Sequence, residues 1–424
     1  MLHEHAVQER SKGLLVLVGS AVAAGVIMEV RRDRTPAAPS ASAPIALSAP
    51  ESSVALPPPR VATRAELAAT LATLEARARG PAGDDTHPWA LAHGLVAFGP
   101  RFQTQSGKRA VDVMASFAEQ RGVGGKNLWL FPRRKDASLV EPHKHLLIKT
   151  MLESGVGLDE KFTTSTGAQI TLRTLVQDAR SEAALPADDT AWHDAAWTLS
   201  AMHSADELGL TAPAGALSTD ALAVAALARL ETDNHVVTSY AGPLETAFEP
   251  GSSLREAKAK KTGIYGHSCG GMHLVQAVLS TNARADAARK SRTHKQLGVL
   301  LFRYESERLT LIKLLQAHPD QGLLLRVQRL KLYGHLVETL TLARSLGYLD
   351  ESTEGGKKLW QLALHAAADL VDVVRELDAG GVYLRLDAIR AEREQTYLDL
   401  VGDACHGIRG LRRAIAILDG KDGG

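Results

Sequence analysis

From Val61 to the C-terminus, leucines and alanines recur three and four residues apart, and this spacing leaves little room for anything but helices. Leu311, Leu314 and Leu315 share one helical face, as do Leu336, Leu340 and Ala343. The pattern predicts helices over Ala62–Arg79, Lys108–Gln120, Pro142–Glu153, Gln169–Ala183 and Thr219–Thr232. Longer ones follow over Thr293–Ala317, Gln321–Leu346, Glu354–Asp378 and Arg385–Asp419. Pro319-Asp320, Gly347, Gly355-Gly356 and Gly380-Gly381 punctuate them. Composition agrees: 45% of the 424 residues are hydrophobic but only 4% aromatic, so the core is built from Ala and Leu, which favour helix over sheet. A short hairpin around Lys161–Thr171 is the one β feature expected. The fold class is therefore all-α. A break over residues 283–292 separates residues 61–285 from an antiparallel helical bundle at 286–424.

The N-terminal sixty residues are of another kind. Gly13–Met28 is an uncharged apolar run between Arg10 and Lys12 on one side and Arg31, Arg32 and Arg34 on the other. With Glu29 snorkelling and Val30 counted, residues 13–30 make a thin membrane span behind a tail at 1–12. Ala21-Val22-Ala23 offers a signal-peptide cleavage pattern as the rival, but the apolar run continues past it, which favours an uncleaved anchor. Residues 31–60 form a linker in which Thr35–Arg60 holds seven of the 17 prolines. Such a stretch sustains neither a helix nor a sheet ladder and acts as an extended spacer. An anchor followed by a Pro/Ala/Ser spacer suits a cell-envelope protein with an extracytoplasmic body, attached to the membrane and open to a protein partner.

Charge and cysteine content exclude several classes. With 49 Lys plus Arg against 48 Asp plus Glu, the net charge is +1, without the basic excess of a nucleic-acid binder. Two cysteines exclude a disulfide scaffold and a four-cysteine zinc module. Gly122–Asn127 (GVGGKN) lacks the spacing of a phosphate loop. The basic stretches Arg133–Lys135 and Lys258–Lys261 read as solvated loops.

Three segments can be laid in register: His87-Pro-Trp89-Ala-Leu-Ala-His93, Ala191-Trp-His193-Asp-Ala-Ala-Trp197 and His267-Ser-Cys269-Gly-Gly-Met-His273. Asp-Asp-Thr precedes the first two, at Asp84–Thr86 and Asp188–Thr190, and supplies candidate N-caps. Each segment carries a pair four residues apart, on one helical face: Trp89/His93, His193/Trp197 and Cys269/His273. If the three helices line one cavity, His93, His193, Cys269 and His273 converge. Cys269 and His273 are zinc-ligand types, and Cys405-His406-Gly407 adds a second Cys/His pair. Adjacent ligands can both reach a metal only at a turn, which Gly402 and Gly407 would permit. His294, His335, His365 and His406 fall on successive bundle helices. Glu338 lies three residues after His335, the reverse of the Glu-x-x-His order of carboxylate-bridged metal bundles, so these histidines read as core or surface residues.

Capped inner helices carrying Trp, His and Cys, alternating with plainer amphipathic helices, resemble an α/α toroid over residues 84–282 of the domain at 61–285, as in terpenoid cyclases, prenyltransferase β-subunits and lanthionine cyclases. Cys405-His406-Gly407-Ile-Arg-Gly410 is similar to the Cys-His-Gly signature of lanthionine cyclases. That resemblance implies zinc on Cys405, His406 and an earlier Cys, here Cys269. The Cys269–Cys405 gap is longer than that family uses. Gly266-His267-Ser268-Cys269-Gly270-Gly271 resembles the nucleophile elbow of α/β-hydrolases, but Ser253–Gly263 before it is basic and polar, where that family has a buried strand. Three functions are thus expected: foremost a binding or scaffold module of the cell envelope; then a zinc-dependent toroid enzyme with Cys269, His273, Cys405 and His406 as ligands and His93 or His193 as acid/base; then a serine hydrolase using Ser268.

Overall fold

The computed structural model describes residues 58–136, 138–188, 191–241, 269 and 271–421. These residues form thirteen α-helices and three two-stranded antiparallel hairpins. The first helices are α1 (Arg64–Ala82), α2 (Pro88–Phe98), α3 (Ala110–Ala115), α4 (Leu146–Glu153), α5 (Leu172–Glu182), α6 (Trp192–Glu207) and α7 (Thr219–Ala241). Then come α8 (Met272–Asn282), α9 (Ala287–Ala317), α10 (Gly322–Ser345), α11 (Glu354–Ala379), α12 (Leu386–Glu392) and α13 (Glu394–Leu418). The expected anchor at 13–30 and most of the linker lie outside the described residues. No described helix is long and apolar enough to cross a membrane.

Local chemistry explains where the elements begin and where expectation failed. Thr63 and Glu66 close a capping box on α1, Thr63 Oγ1 accepting from Glu66 N at 3.2 Å and Glu66 Oε2 accepting from Thr63 N at 2.8 Å. The expected hairpin is present, with Lys161–Thr163 paired to Gln169–Thr171. The helix expected over Lys108–Gln120 is only Ala110–Ala115. The chain then enters a strand, Glu119–Val123, paired with Lys126–Leu130. Gly124 and Gly125 turn that hairpin with φ of 56° and 78°, so the GVGGKN stretch is a tight β-turn. Asp84 does not cap α2: it accepts from Thr86 N at 2.9 Å, while His87 is the N-cap and Pro88 starts the helix. The break expected over 283–292 is shorter, because Asp286 caps α9 by accepting from Arg289 N at 2.9 Å. Conversely, Arg385–Asp419 is two helices, parted at Arg393 (φ −150°, ψ 85°).

One hydrophobic core runs from Ala62 to Ile417 and crosses the boundary expected between residues 285 and 286. Helix α13 is its axis, packing on α10 on one side and on α1 and α2 on the other. Glycine makes these crossings close. A Cβ on Gly410 would sit 2.8 Å from Glu338 N of α10, and one on Gly402 would sit 2.5 Å from the Trp89 ring of α2. The backbones meet at van der Waals distance, and the polar side chains beside the seam are pressed together.

Candidate metal centre

Three histidines from three helices meet next to that seam. His273 lies in the first turn of α8, His335 in the middle of α10 and His406 in the middle of α13. One ring nitrogen of each lies within 4.8 Å of the other two. Ring centroids are 4.1 Å apart for His335 and His406, 4.7 Å for His273 and His335, and 5.1 Å for His273 and His406. Among the described residues, no other group of three or more His, Cys, Asp or Glu side chains meets this spacing. His335 and His406 are buried, and His273 is partly accessible.

Glu338, one turn along α10 from His335, sets the protonation pattern. Its Oε2 accepts from His406 Nδ1 at 2.8 Å and from Gln276 Nε2 at 3.1 Å, and its Oε1 accepts from Arg409 Nη1 at 3.3 Å. Burial opposes the charge, but His406 and Arg409 outweigh it and hold the Glu338 carboxyl well below its ordinary range. A carboxylate only accepts, so His406 Nδ1 carries the proton and Nε2 keeps the lone pair. Desolvation, then the neighbouring His335, lowers His406 to about 4. Desolvation and adjacent imidazoles likewise hold His273 and His93 well below the usual histidine range. At neutral pH these rings are neutral, the form that binds metals.

The donors present fit a metal. A tetrahedral zinc with Zn–N of about 2.0–2.1 Å places its nitrogens roughly 3.4 Å apart, so the rings need close by no more than about 1.4 Å. Among the described residues, buried His335 Nδ1 and Asp403 Oδ2 have no hydrogen-bond partner. Asp403 Oδ1 stands 3.6 Å from His335 Nε2, and burial pushes its carboxyl up. Orphaned polar atoms in a buried site carry a free-energy cost that a bound cation would remove.

A shell of aromatic rings encloses the cluster. Trp89 lies 3.9 Å from His93, which meets His406 edge-on at 5.2 Å. On the other flank Trp197 lies 4.9 Å from His273 and stacks on His143 at 4.0 Å and 3°. His143 Nδ1 is 3.2 Å from Asp194 Oδ1. His93 Nδ1 donates to the Trp89 carbonyl at 2.8 Å, so its Nε2 also keeps a lone pair.

The structure thus places His273 and His406 together and sets His93 beside them. His193 is half-buried in the first turn of α6, whose ring nearest the cluster is Trp197. Cys269 and Cys405 are both buried and free, and neither belongs to the histidine group. The turn that would let Cys405 and His406 ligate together does not form: α13 is continuous through Gly402 and Gly407, so neighbouring side chains diverge. Desolvation raises the Cys405 thiol, which keeps it protonated and a poor ligand. Ser268 lies outside the described residues, and the described strands form only hairpins, with no parallel sheet. Sequence reasoning set His335 and Glu338 aside as core or surface residues and missed Asp403. Their signal was His335-x-x-Glu338, a pair sharing one helical face. Comparison with known proteins found no matching family model, no matching curated protein and no matching solved structure.

Proposed function

We propose that this chain is a metal-dependent protein in which His273, His335 and His406 hold a divalent transition metal, zinc foremost, with a fourth position left for water or substrate. The observation that supports it is the convergence of three imidazole nitrogens within 4.8 Å, one ring fixed in tautomer by a buried carboxylate. A zinc ion in a three-histidine set acidifies bound water and polarises carbonyl oxygens. The chain's own contributions are distinct from that. Glu338 orients His406; the partly accessible His273 marks the side from which water or substrate reaches the site; and His93, through Nε2, is the candidate acid/base. Residues 13–60 extend the reading to an enzyme carried on a membrane anchor and spacer at the cell envelope.

A second reading keeps the envelope binding module and makes the metal structural, with His93 closing the coordination. The burial of His335 and His406, at 2% and 3% exposure, favours it. Metal analysis of residues 61–424 tests the shared claim: about one zinc per chain is expected, and none after His335→Ala. A metal-free protein that binds no zinc on titration would sink both readings. Cobalt substitution separates them, because added azide shifts the visible spectrum of an open site and leaves a closed one unchanged.

A further inference from the structure

Beside Gln276 and Arg409, two partners of Glu338, a cavity of about 320 Å³ opens between α4, α6, α8, α10 and α13. Its wall is apolar along Leu152, Leu208, Leu342 and Leu346, and polar along Ser200, Ser204, Gln276 and the two arginines Arg409 and Arg413. This size falls in the range of small-molecule sites, roughly 300–1,000 Å³.

The charges around it leave one cation over. Arg409 Nη1 is paired with Glu153 at 2.9 Å and Glu338 at 3.3 Å, and Glu153 also holds Lys149 at 3.2 Å. Those two cations and two anions cancel. Glu207, also on the wall, is paired with Arg284 at 2.6 Å. His203 is held neutral by burial. Arg413 makes no hydrogen bond or ion pair with any described residue; its side chain is half-buried, with Nη1 fully buried and without a partner. Burial and the adjacent Arg409, only partly offset by the more distant Glu338 and Glu153 carboxylates, lower its guanidinium to about 10, which still leaves it charged. A guanidinium nitrogen buried without a partner is costly, and an anion in the cavity would complete it.

We propose that this cavity binds a small organic acid, its carboxylate on Arg413 and its hydrocarbon body against Leu342 and Leu346. Arginine recognises carboxylate through two parallel hydrogen bonds, the serines can donate further ones, and the leucines accept an apolar body. The site shares Gln276 and Arg409 with the Glu338 network but includes none of the three histidines, and it needs no metal.

Hexanoate, hexanol and inorganic phosphate, titrated calorimetrically into the full chain, test this. Hexanoate should bind at one site, with hexanol at least about tenfold weaker, since a charge-assisted hydrogen bond carries that much discrimination. Arg413→Met should weaken hexanoate at least about tenfold and Arg413→Lys by less. Arg413→Met should melt no lower than the parent, because it removes a guanidinium nitrogen buried without a partner. Affinity should match in metal-free and zinc-loaded protein, so a failure of the metal assignment leaves this result intact. No hexanoate binding, unchanged affinity in Arg413→Met, or tighter binding of phosphate than of hexanoate would each overturn the proposal. Should the Met variant not fold, the Lys variant decides: affinity equal to the parent's with a matched melting curve counts against it.

Discussion

Two buried polar clusters sit in the same helical core and are finished differently. Between α9 and α11, Asp369 Oδ2 accepts from Tyr304 OH at 2.7 Å and from Arg308 Nε at 2.8 Å. Burial and the Asp369 anion push the Tyr304 phenol far up, so it stays a donor. That network supplies its own partners. At the crossing of α8, α10 and α13, Glu338 is equally well served, yet His335 Nδ1 and Asp403 Oδ2 go without, and His273 makes no hydrogen bond to a described residue. A cluster that only stabilises a fold closes on itself, whereas one that holds something keeps lone pairs in reserve.

The contrast can be broken most directly at the ligands. His406→Ala or His335→Ala should lower zinc affinity by at least about 100-fold in chelator competition, more than loss of a supporting partner does. Asp369→Asn should leave zinc affinity unchanged, and equal losses in both clusters would erase the distinction. Next in size is Glu338→Gln, which keeps the shape but cannot fix His406 as a charged acceptor. A fall of roughly 10–100-fold in zinc affinity is expected. Asp369→Ala removes the acceptor that Tyr304 and Arg308 share and should cost roughly 3–5 kcal/mol in urea unfolding with metal content intact.

Acid sharpens the comparison. The unfolded chain has ordinary imidazoles with pKa near 6.5, while folded His406 sits at about 4. Between those values the unfolded state binds more protons, so the metal-free fold loses stability as pH falls from about 6.5 to 4, by on the order of 3 kcal/mol for His406 alone. Glu338, held low, adds to the same trend further into acid: its contribution is present above about pH 4.5 and is lost as pH falls below it. Urea midpoints between pH 7.5 and 4 should fall in the parent and flatten in His406→Phe. The smallest effects belong to the frame. Gly410→Ala places a methyl against the α10 backbone and should cost about 1–3 kcal/mol. Cys405→Ala should leave zinc content unchanged, and its loss would restore the cysteine as a ligand.

Much of the frame was legible. Ala and Leu at helical spacing marked nearly every long helix, and the Lys161–Thr171 hairpin announced itself by its polar, turn-rich middle. Errors fell where local chemistry outweighs periodicity, as where Gly124-Gly125 turns a hairpin and where the chain breaks at Arg393. The site was half legible. The helix-start motifs carried His93, Trp197 and His273, all of which the structure gathers around His406. His335 was passed over because one histidine with a glutamate three residues later looks the same on a solvated face as on a buried one. Only the glycine-lined crossing of α10 and α13 sets residue 335 beside 406, and that contact has no local signature.

The positions of the three histidines along the chain have a consequence of their own. Each comes from a different helix, on the order of sixty to seventy residues from the next. An ion joining them would close two long loops at once, a covalent-like cross-link without cysteine. Loop-closure entropy grows with the logarithm of loop length, so ties this long remove more freedom from the unfolded chain than a short-range clasp would. A chain with two free cysteines and no disulfide can thus be cinched by chemistry that survives in a reducing compartment as well as in an oxidising one.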